Sequence, residues 1–391
     1  MTRLALFGPT WESAMGTMDE LIDPGVVARL RDSLRSVAPR LPLSALTEAE
    51  RVVPGKRLRE RVNIVRNALL DDVPAGFPAA RRIVEDVITV PQFGGWMIWP
   101  ASEFVTARAL ESGSTTDFDL AMDVLAQLTV GLSSEFAVRD LLLARPERAL
   151  DTMHRWTGHE NEHVRRLATE GSRAYLPWAK RVPWLIARPD ATRVIINAIY
   201  RDPAEYVRRS VANHLNDLSR VDPGVAAAIG RGWHGDPDAN TSWVLRHGLR
   251  TLVKKGDAEA LLLLGYTGDG LRVGHPRLSS STVTRGGTLE FSAMVTNDGS
   301  TNASVAIDYS IGFLRANGAV SPKTFKLASR RLAPGESVVV SKKHSFRPIT
   351  TRTYYPGGHF ITVQANGNVS SAAEFTLEGD IVTASATVDE G

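Results

Sequence analysis

Residues 163–173, HVRRLATEGSR, recur in altered form at residues 206–217, YVRRSVANHLND, and at residues 243–254, WVLRHGLRTLVK. The corresponding valines, Val164, Val207 and Val244, lie 43 and 37 residues apart. That period is too long for one helix and suits stacked helix pairs of HEAT-like type, in which each unit buries an apolar face against the next. Within a copy the apolar residues fall at helical intervals, Val207, Val211, Leu215 and Leu218 most plainly, so this stripe is expected to face the neighbouring repeat. A polar stripe runs beside it: Arg166, Glu170 and Arg173 in the first copy, Arg209, Asn213, Asn216 and Asp217 in the second, Arg246, Arg250 and Lys254 in the third. Residues three and four apart share a helix face. Stacking is therefore expected to lay these side chains in rows on one surface, mostly cationic, with two carboxylates set into it.

The formal net charge is only +3, yet residues 131–256 hold 20 Lys and Arg against 14 Asp and Glu, so the positive surplus sits on the repeats. Such a distribution suits a polyanionic partner; it equally suits helices whose arginines are merely solvated. With no cysteine in the chain, disulfides, thiolate metal sites and a cysteine nucleophile are excluded, and a reducing cytoplasm fits. No run approaches the roughly 20 apolar residues of a membrane helix, and the opening MTRLALFGPTWESAMG lacks an export pattern. A cytoplasmic protein without membrane attachment is expected.

A length of 391 residues predicts more than one domain. Residues 1–268 read as helical: a less regular part over 1–116, then clear repeats over 117–268. Asp23-Pro24-Gly25 starts a helix through Leu34, and residues 57–70 form an amphipathic helix with Leu58, Val62, Val65 and Leu69 on one side. The aromatic, glycine-rich segment 93–100 reads as packing between helices. Residues 117–143 give two helices, the second capped by Ser133-Ser134, with Glu135 in its first turn at the positive end of the helix dipole. From Arg272 the texture changes. Segments at 288–296, 304–309, 337–340 and 359–365 alternate apolar and polar residues between turn signals such as Asn317-Gly318 and Pro334-Gly335. An all-β immunoglobulin-like sandwich is expected over 269–379, followed by a loose tail at 380–391.

The run His159-Glu160-Asn161-Glu162-His163 matches the H-E-x-x-H zinc-protease signature. Zinc chemistry needs both histidines on one face inside a helix; this run falls at a turn and the first residues of a helix, so no metal site is expected. No nucleophile elbow, phosphate-binding loop or dinucleotide fingerprint is present, and no organic cofactor is expected.

Four segments in order, SSEFAVRDLL (133–142), HVRRLATEGSRAYLPWA (163–179), YVRRSVANHLNDLSR (206–220) and WVLRHGLRTLVKKGDAEAL (243–261), followed by LGYTG and a β-domain, resemble the AlkC branch of the HEAT-like DNA alkylation-repair glycosylases. The resemblance implies a monofunctional DNA glycosylase that removes cationic N-alkylated bases, 3-methylcytosine and 3-methyladenine, from double-stranded DNA without turning the nucleotide out into a deep pocket. It implies an active site of Glu135, Glu170, Trp178 and Asp217. Arg139, Arg166, Arg173, Arg209, His214, Arg246, Arg250 and Lys254 are the corresponding DNA-contact candidates, and the β-domain adds Lys323, Lys326, Arg330, Arg331, Lys342, Lys343, Arg347 and Arg352. A nucleoid-associated monomer with no obligate protein partner is expected. The alternative is a non-catalytic helical scaffold binding DNA or a protein; it shares the basic rows but does not require the acids to converge.

Overall fold

The computed structural model describes residues 18–349 and 352–379; the tail at 380–391 and the N-terminal segment with Trp11 lie outside them. Two compact units divide between Val221 and Asp222. The first holds a 3-10 turn, Met18–Ile22, and helices α1 (Pro24–Val37), α2 (Ser44–Val52), α3 (Leu58–Asp72), α4 (Phe77–Ile88), α5 (Ile98–Ser112), α6 (Thr115–Leu128), α7 (Val138–Ala144), α8 (Pro146–Trp156), α9 (Glu162–Gly171), α10 (Pro183–Ala187), α11 (Arg193–Ile199) and α12 (Glu205–Val221).

Local chemistry sets these boundaries. Asp23 caps α1 and Pro24 occupies its first position, while Ser114 and Asn161 cap α6 and α9 with their side-chain oxygens. Leu58, Val62, Val65 and Leu69 of α3 are buried together, as the periodicity predicts. So are Val164 and Leu167 of α9 and Val207, Val211, Leu215 and Leu218 of α12, and α9 packs directly on α12. Gly171 ends α9 close against α7: a Cβ there would lie 2.7 Å from Val138 Cγ1. In the part expected to be less regular, the described residues form five α-helices that share one continuous core with α6 to α9. In segment 93–100, Met97, Ile98 and Trp99 are buried and Trp96 is half-buried.

The second unit holds α13 (Pro223–Gly235), α14 (Thr241–Gly248), α15 (Arg250–Lys255), α16 (Ala258–Leu263) and strands β1 (Leu271–Val273), β2 (Arg277–Leu278), β3 (Thr282–Thr284), β4 (Thr288–Asn297), β5 (Ala303–Leu314), β6 (Val320–Leu332), β7 (Ser337–Ser345), β8 (Gly357–Ala365), β9 (Asn368–Val369) and β10 (Ala373–Glu378). In one sheet β4 pairs with β1, β2 and β7; the other runs β3-β10-β8-β5-β6, with β9 against β8. All pairings are antiparallel except β10 with β3. Inward residues such as Phe291, Val295, Ile307, Ile311, Ile361 and Phe375 fill the immunoglobulin-like core.

The last four helices thus cluster with the sandwich, so the contact boundary falls at 221 and not at 268. The reason is a set of backbone contacts. Gln364 Nε2 donates to the Lys254 carbonyl at 3.0 Å, and Asn366 and Asn368 donate to the carbonyls of Thr267 and Gly268 at 2.7 and 2.6 Å. Gly256 and Gly367, both at positive φ, meet backbone to backbone; a Cβ on Gly256 would lie 2.7 Å from Gly367 Cα. None of the described helices is long and apolar enough to cross a membrane.

Candidate active site

A hollow of about 500 Å³ opens in the first unit. It is lined by Trp96, Trp99, the turn 129–136, His163, Arg166, Glu170, Arg173, the segment 176–178 and Tyr206. Glu135 reaches it from a turn and not from a helix, because α7 begins only at Val138. Ser133 Oγ accepts from the Glu135 amide at 3.3 Å and donates to its carboxylate at 2.8 Å, a local side-chain bond that competes with helical pairing. Behind this turn Phe136 stacks on Trp99, with ring centroids 4.1 Å apart. The Trp99 indole N–H donates to Glu103 at 2.8 Å, and Glu103 in turn holds Arg59.

Three carboxylates and two arginines then alternate. Arg166 bonds Glu135 at 2.5 Å and lies 3.5 Å from Glu170. Arg173 bonds Glu170 at 2.6 Å and Asp217 at 2.8 Å. Ser210 Oγ donates to the second Glu170 oxygen at 2.6 Å, and the Tyr175 amide donates to Asp217 at 3.3 Å. Burial alone would raise the Glu170 pKa; the charges of Arg166 and Arg173 and the bonds from Ser210 and Arg173 more than offset it, so the carboxyl sits below its usual range. Glu170 is therefore an anion at neutral pH despite being nearly enclosed.

Glu135, Glu170 and Trp178 all line the hollow. Asp217 does not: it is buried behind Arg173 and reaches the hollow only through that guanidinium. Trp178 is 68% exposed and has φ = 61°, a left-handed backbone that a bulky residue adopts only when its surroundings impose it. Arg139 supplies that constraint. It donates to the carbonyls of Gly171, Arg173 and Lys180 at 3.0, 2.7 and 2.7 Å, pinning both ends of the loop that carries the tryptophan.

Two of the expected DNA contacts are therefore corrected. Arg139 is wholly buried, with all three of these bonds to carbonyl groups. His214 is also wholly buried, set between the Thr169 carbonyl and the Thr192 hydroxyl at 2.9 Å each, and burial depresses its pKa to about 4. Neither side chain can meet a phosphate. The row expected to be a cationic surface is largely self-neutralised, since Arg166 and Arg173 are committed to carboxylates and Arg209 pairs with Glu205 at 2.6 Å.

In the second unit Arg246 and Lys254 are exposed, and Arg250 is half-buried with a bond to the His247 carbonyl. On the sandwich, Lys323, Lys326, Arg330 and Arg331 project from the edge strand β6, while Lys343 pairs with Glu290 and Arg352 lies over Phe313 at 4.2 Å. The H-E-x-x-H run does not lie on one helix: His159 precedes the cap Asn161, whose amide donates to its ring nitrogen at 3.0 Å. Among the described residues, no group of three His, Cys, Asp or Glu is placed to hold a metal ion.

His163 and Tyr206 were not anticipated as wall residues. Their rings meet edge to face at 5.5 Å. The signal was present, since the residue before the aligned valine is aromatic in all three copies, His163, Tyr206 and Trp243.

A stack of helices with arginine-clasped acids in an aromatic hollow, joined in sequence to an immunoglobulin-like sandwich, defines a two-part helical-repeat protein, and the comparisons match both parts. Residues 125–252 match the family model described as DNA alkylation repair enzyme, and residues 272–379 match that of the C-terminal Ig-like domain of the uncharacterised protein YhaZ. The chain is 32% identical over 366 residues to uncharacterized protein YhaZ of Bacillus subtilis (strain 168), covering 93% of this chain and 100% of that protein. It is 29% identical to Pseudomonas fluorescens alkylpurine DNA glycosylase AlkC bound to DNA containing an abasic site analog, with a TM-score of 0.80 over 92% of this chain and 99% of that one. The chain belongs to the DNA alkylation repair enzymes, in the branch with the C-terminal Ig-like domain that includes YhaZ and AlkC.

Proposed function

We propose that this protein is a monofunctional DNA glycosylase that hydrolyses the N-glycosidic bond of cationic N-alkylated bases, 3-methylcytosine and 3-methyladenine among them, in double-stranded DNA. The observation that carries the reading is the pair Glu135 and Glu170 on the wall of the hollow, with Glu170 held ionised by Arg166, Arg173 and Ser210. A base that already bears positive charge is a good leaving group, so bond cleavage needs no strong general acid. The sugar passes toward an oxocarbenium ion, as in glycoside hydrolysis. Fixed anions beside that sugar stabilise it as the base departs, and one of them orients the water that adds to the anomeric carbon. Water supplies hydroxide to the sugar, and its proton passes to the solvent side through a carboxylate.

Trp178, held outward by its loop, offers an aromatic face to the cationic nucleotide, worth about 0.5–2 kcal/mol. Trp178, exposed at this hollow, suits action on a nucleotide left in or near the duplex. The exposed Arg246 and Lys254, with the cations of β6, would meet phosphates and give sequence-independent affinity.

The test is incubation of the pure, folded protein with methylated duplex DNA and mass spectrometry of the bases set free. Release of 3-methylated bases supports the reading. DNA binding without release would favour a non-catalytic scaffold.

A further inference from the structure

Arg166 is itself a planar, delocalised cation, and its guanidinium sits in surroundings suited to one. Its Nη1 donates to Glu135 at 2.5 Å and to Ser133 Oγ at 2.9 Å. Its Nη2 lies 3.5 Å from Glu170, and its central carbon is 5.2 Å from the centre of the Tyr206 ring. Two carboxylates, a hydroxyl and an aromatic face are also what a flat cationic base would seek. The two arginines of the cluster are not held alike. Arg173 has a short bond to each of its two carboxylates, 2.6 and 2.8 Å, whereas Arg166 has one short bond, to Glu135 at 2.5 Å, and a longer contact of 3.5 Å to Glu170. Glu170 keeps Arg173 and Ser210 if Arg166 leaves.

We propose that Arg166 is a specificity-determining stand-in for the substrate's charge: it fills the place of the cationic base in the free protein and is displaced by a planar cation. This rests on the reading of the hollow as the lesion site. Exchange of one flat cation for another leaves Glu135 and Glu170 paired, so its net cost is small. A neutral base that displaced the arginine would leave the partly buried Glu135 without its counter-charge, which disfavours it. Charge is thereby selected without a deep, shape-matched pocket. Once released, the guanidinium remains charged and on a flexible arm, free to meet a backbone phosphate.

The probe is benzamidinium, a planar aromatic cation, titrated by calorimetry into native protein and into Arg166→Gln. The variant should bind it about tenfold more tightly, since nothing has to be displaced; equal affinity, or no binding to either, would overturn the proposal. A measurement on native protein stands even if the variant fails to fold. The ¹⁵Nε resonance of Arg166 should shift when benzamidinium fills the site, and a resonance unchanged at saturation would overturn it too. Neither measurement uses catalysis, so a protein that released no base from methylated DNA would end the glycosylase reading on separate grounds.

Discussion

Arg173 Nε donates to Asp217 Oδ2 at 2.8 Å, joining the end of α9 to α12 across 44 residues of chain. The bond is nearly enclosed, and the same guanidinium holds Glu170. Removing it leaves buried Asp217 and Glu170 without the guanidinium they share, and breaking a buried pair in this way costs about 3–5 kcal/mol. Arg173→Met should lower unfolding stability by that order in urea titration and reduce base release as well. A loss below about 1 kcal/mol would show that the pair is not a structural clasp.

Arg139 ties down the loop that presents Trp178 through three carbonyl bonds. Arg139→Met should leave the DNA-contact surface untouched while loosening residues 172–182. Hydrogen exchange is expected to show faster amide exchange there than in α3 or α5. Uniform protection in variant and native protein would contradict the pinning role.

The stacked helices and the sandwich were legible in the sequence because burial has a period: Val207, Val211, Leu215 and Leu218 had to share a face, and the alternation at 288–296 and 359–365 had to make strands. Polar residues carry no such marker. Arg139 and His214 sit on the helices of the motif and read as solvent-facing, yet each is buried, with partners 22 to 45 residues away bonding Nε and Nη1 of Arg139 and both ring nitrogens of His214. Periodicity cannot foresee such bonds. Likewise Ser133 read as a helix cap, whereas its hydroxyl folds onto the Glu135 amide and carboxylate, and the helix waits until Val138. Asp217 was expected beside Glu135 and Glu170; three acids on neighbouring helices could be foreseen, but not that an arginine would stand between one of them and the hollow.

DNA affinity should fall steeply with salt. Arg246 is exposed on α14, and Arg246→Ala should weaken binding to all duplex sequences alike while lowering the slope of log affinity against log salt by about 1. An unchanged slope, measured by fluorescence anisotropy over a salt series, would remove this residue from the interface.

His214 is neutral in the fold, since burial takes its pKa from 6.5 to about 4. A depressed folded pKa means that its stabilising contribution is whole above pH 6.5 and is lost as pH falls toward 4. Through that window, stability should drop by up to about 1.4 kcal/mol per pH unit from this group. His344 in the sandwich, also lowered to about 4 by burial, adds its own slope in the second unit. His214→Gln should remove the first contribution and keep the second; urea titrations at several pH values separate them, and identical slopes in both proteins would refute the assignment.

The most direct measurement is single-turnover release of 3-methylated base by Glu170→Gln, with duplex affinity measured on the same preparation. The substitution keeps the shape and the Ser210 bond but removes the anion from the wall of the hollow. Release should fall by about 100-fold or more while DNA affinity changes by less than about threefold. Release at the native rate, with native affinity, would contradict the claim that this carboxylate stabilises the departing base and its sugar.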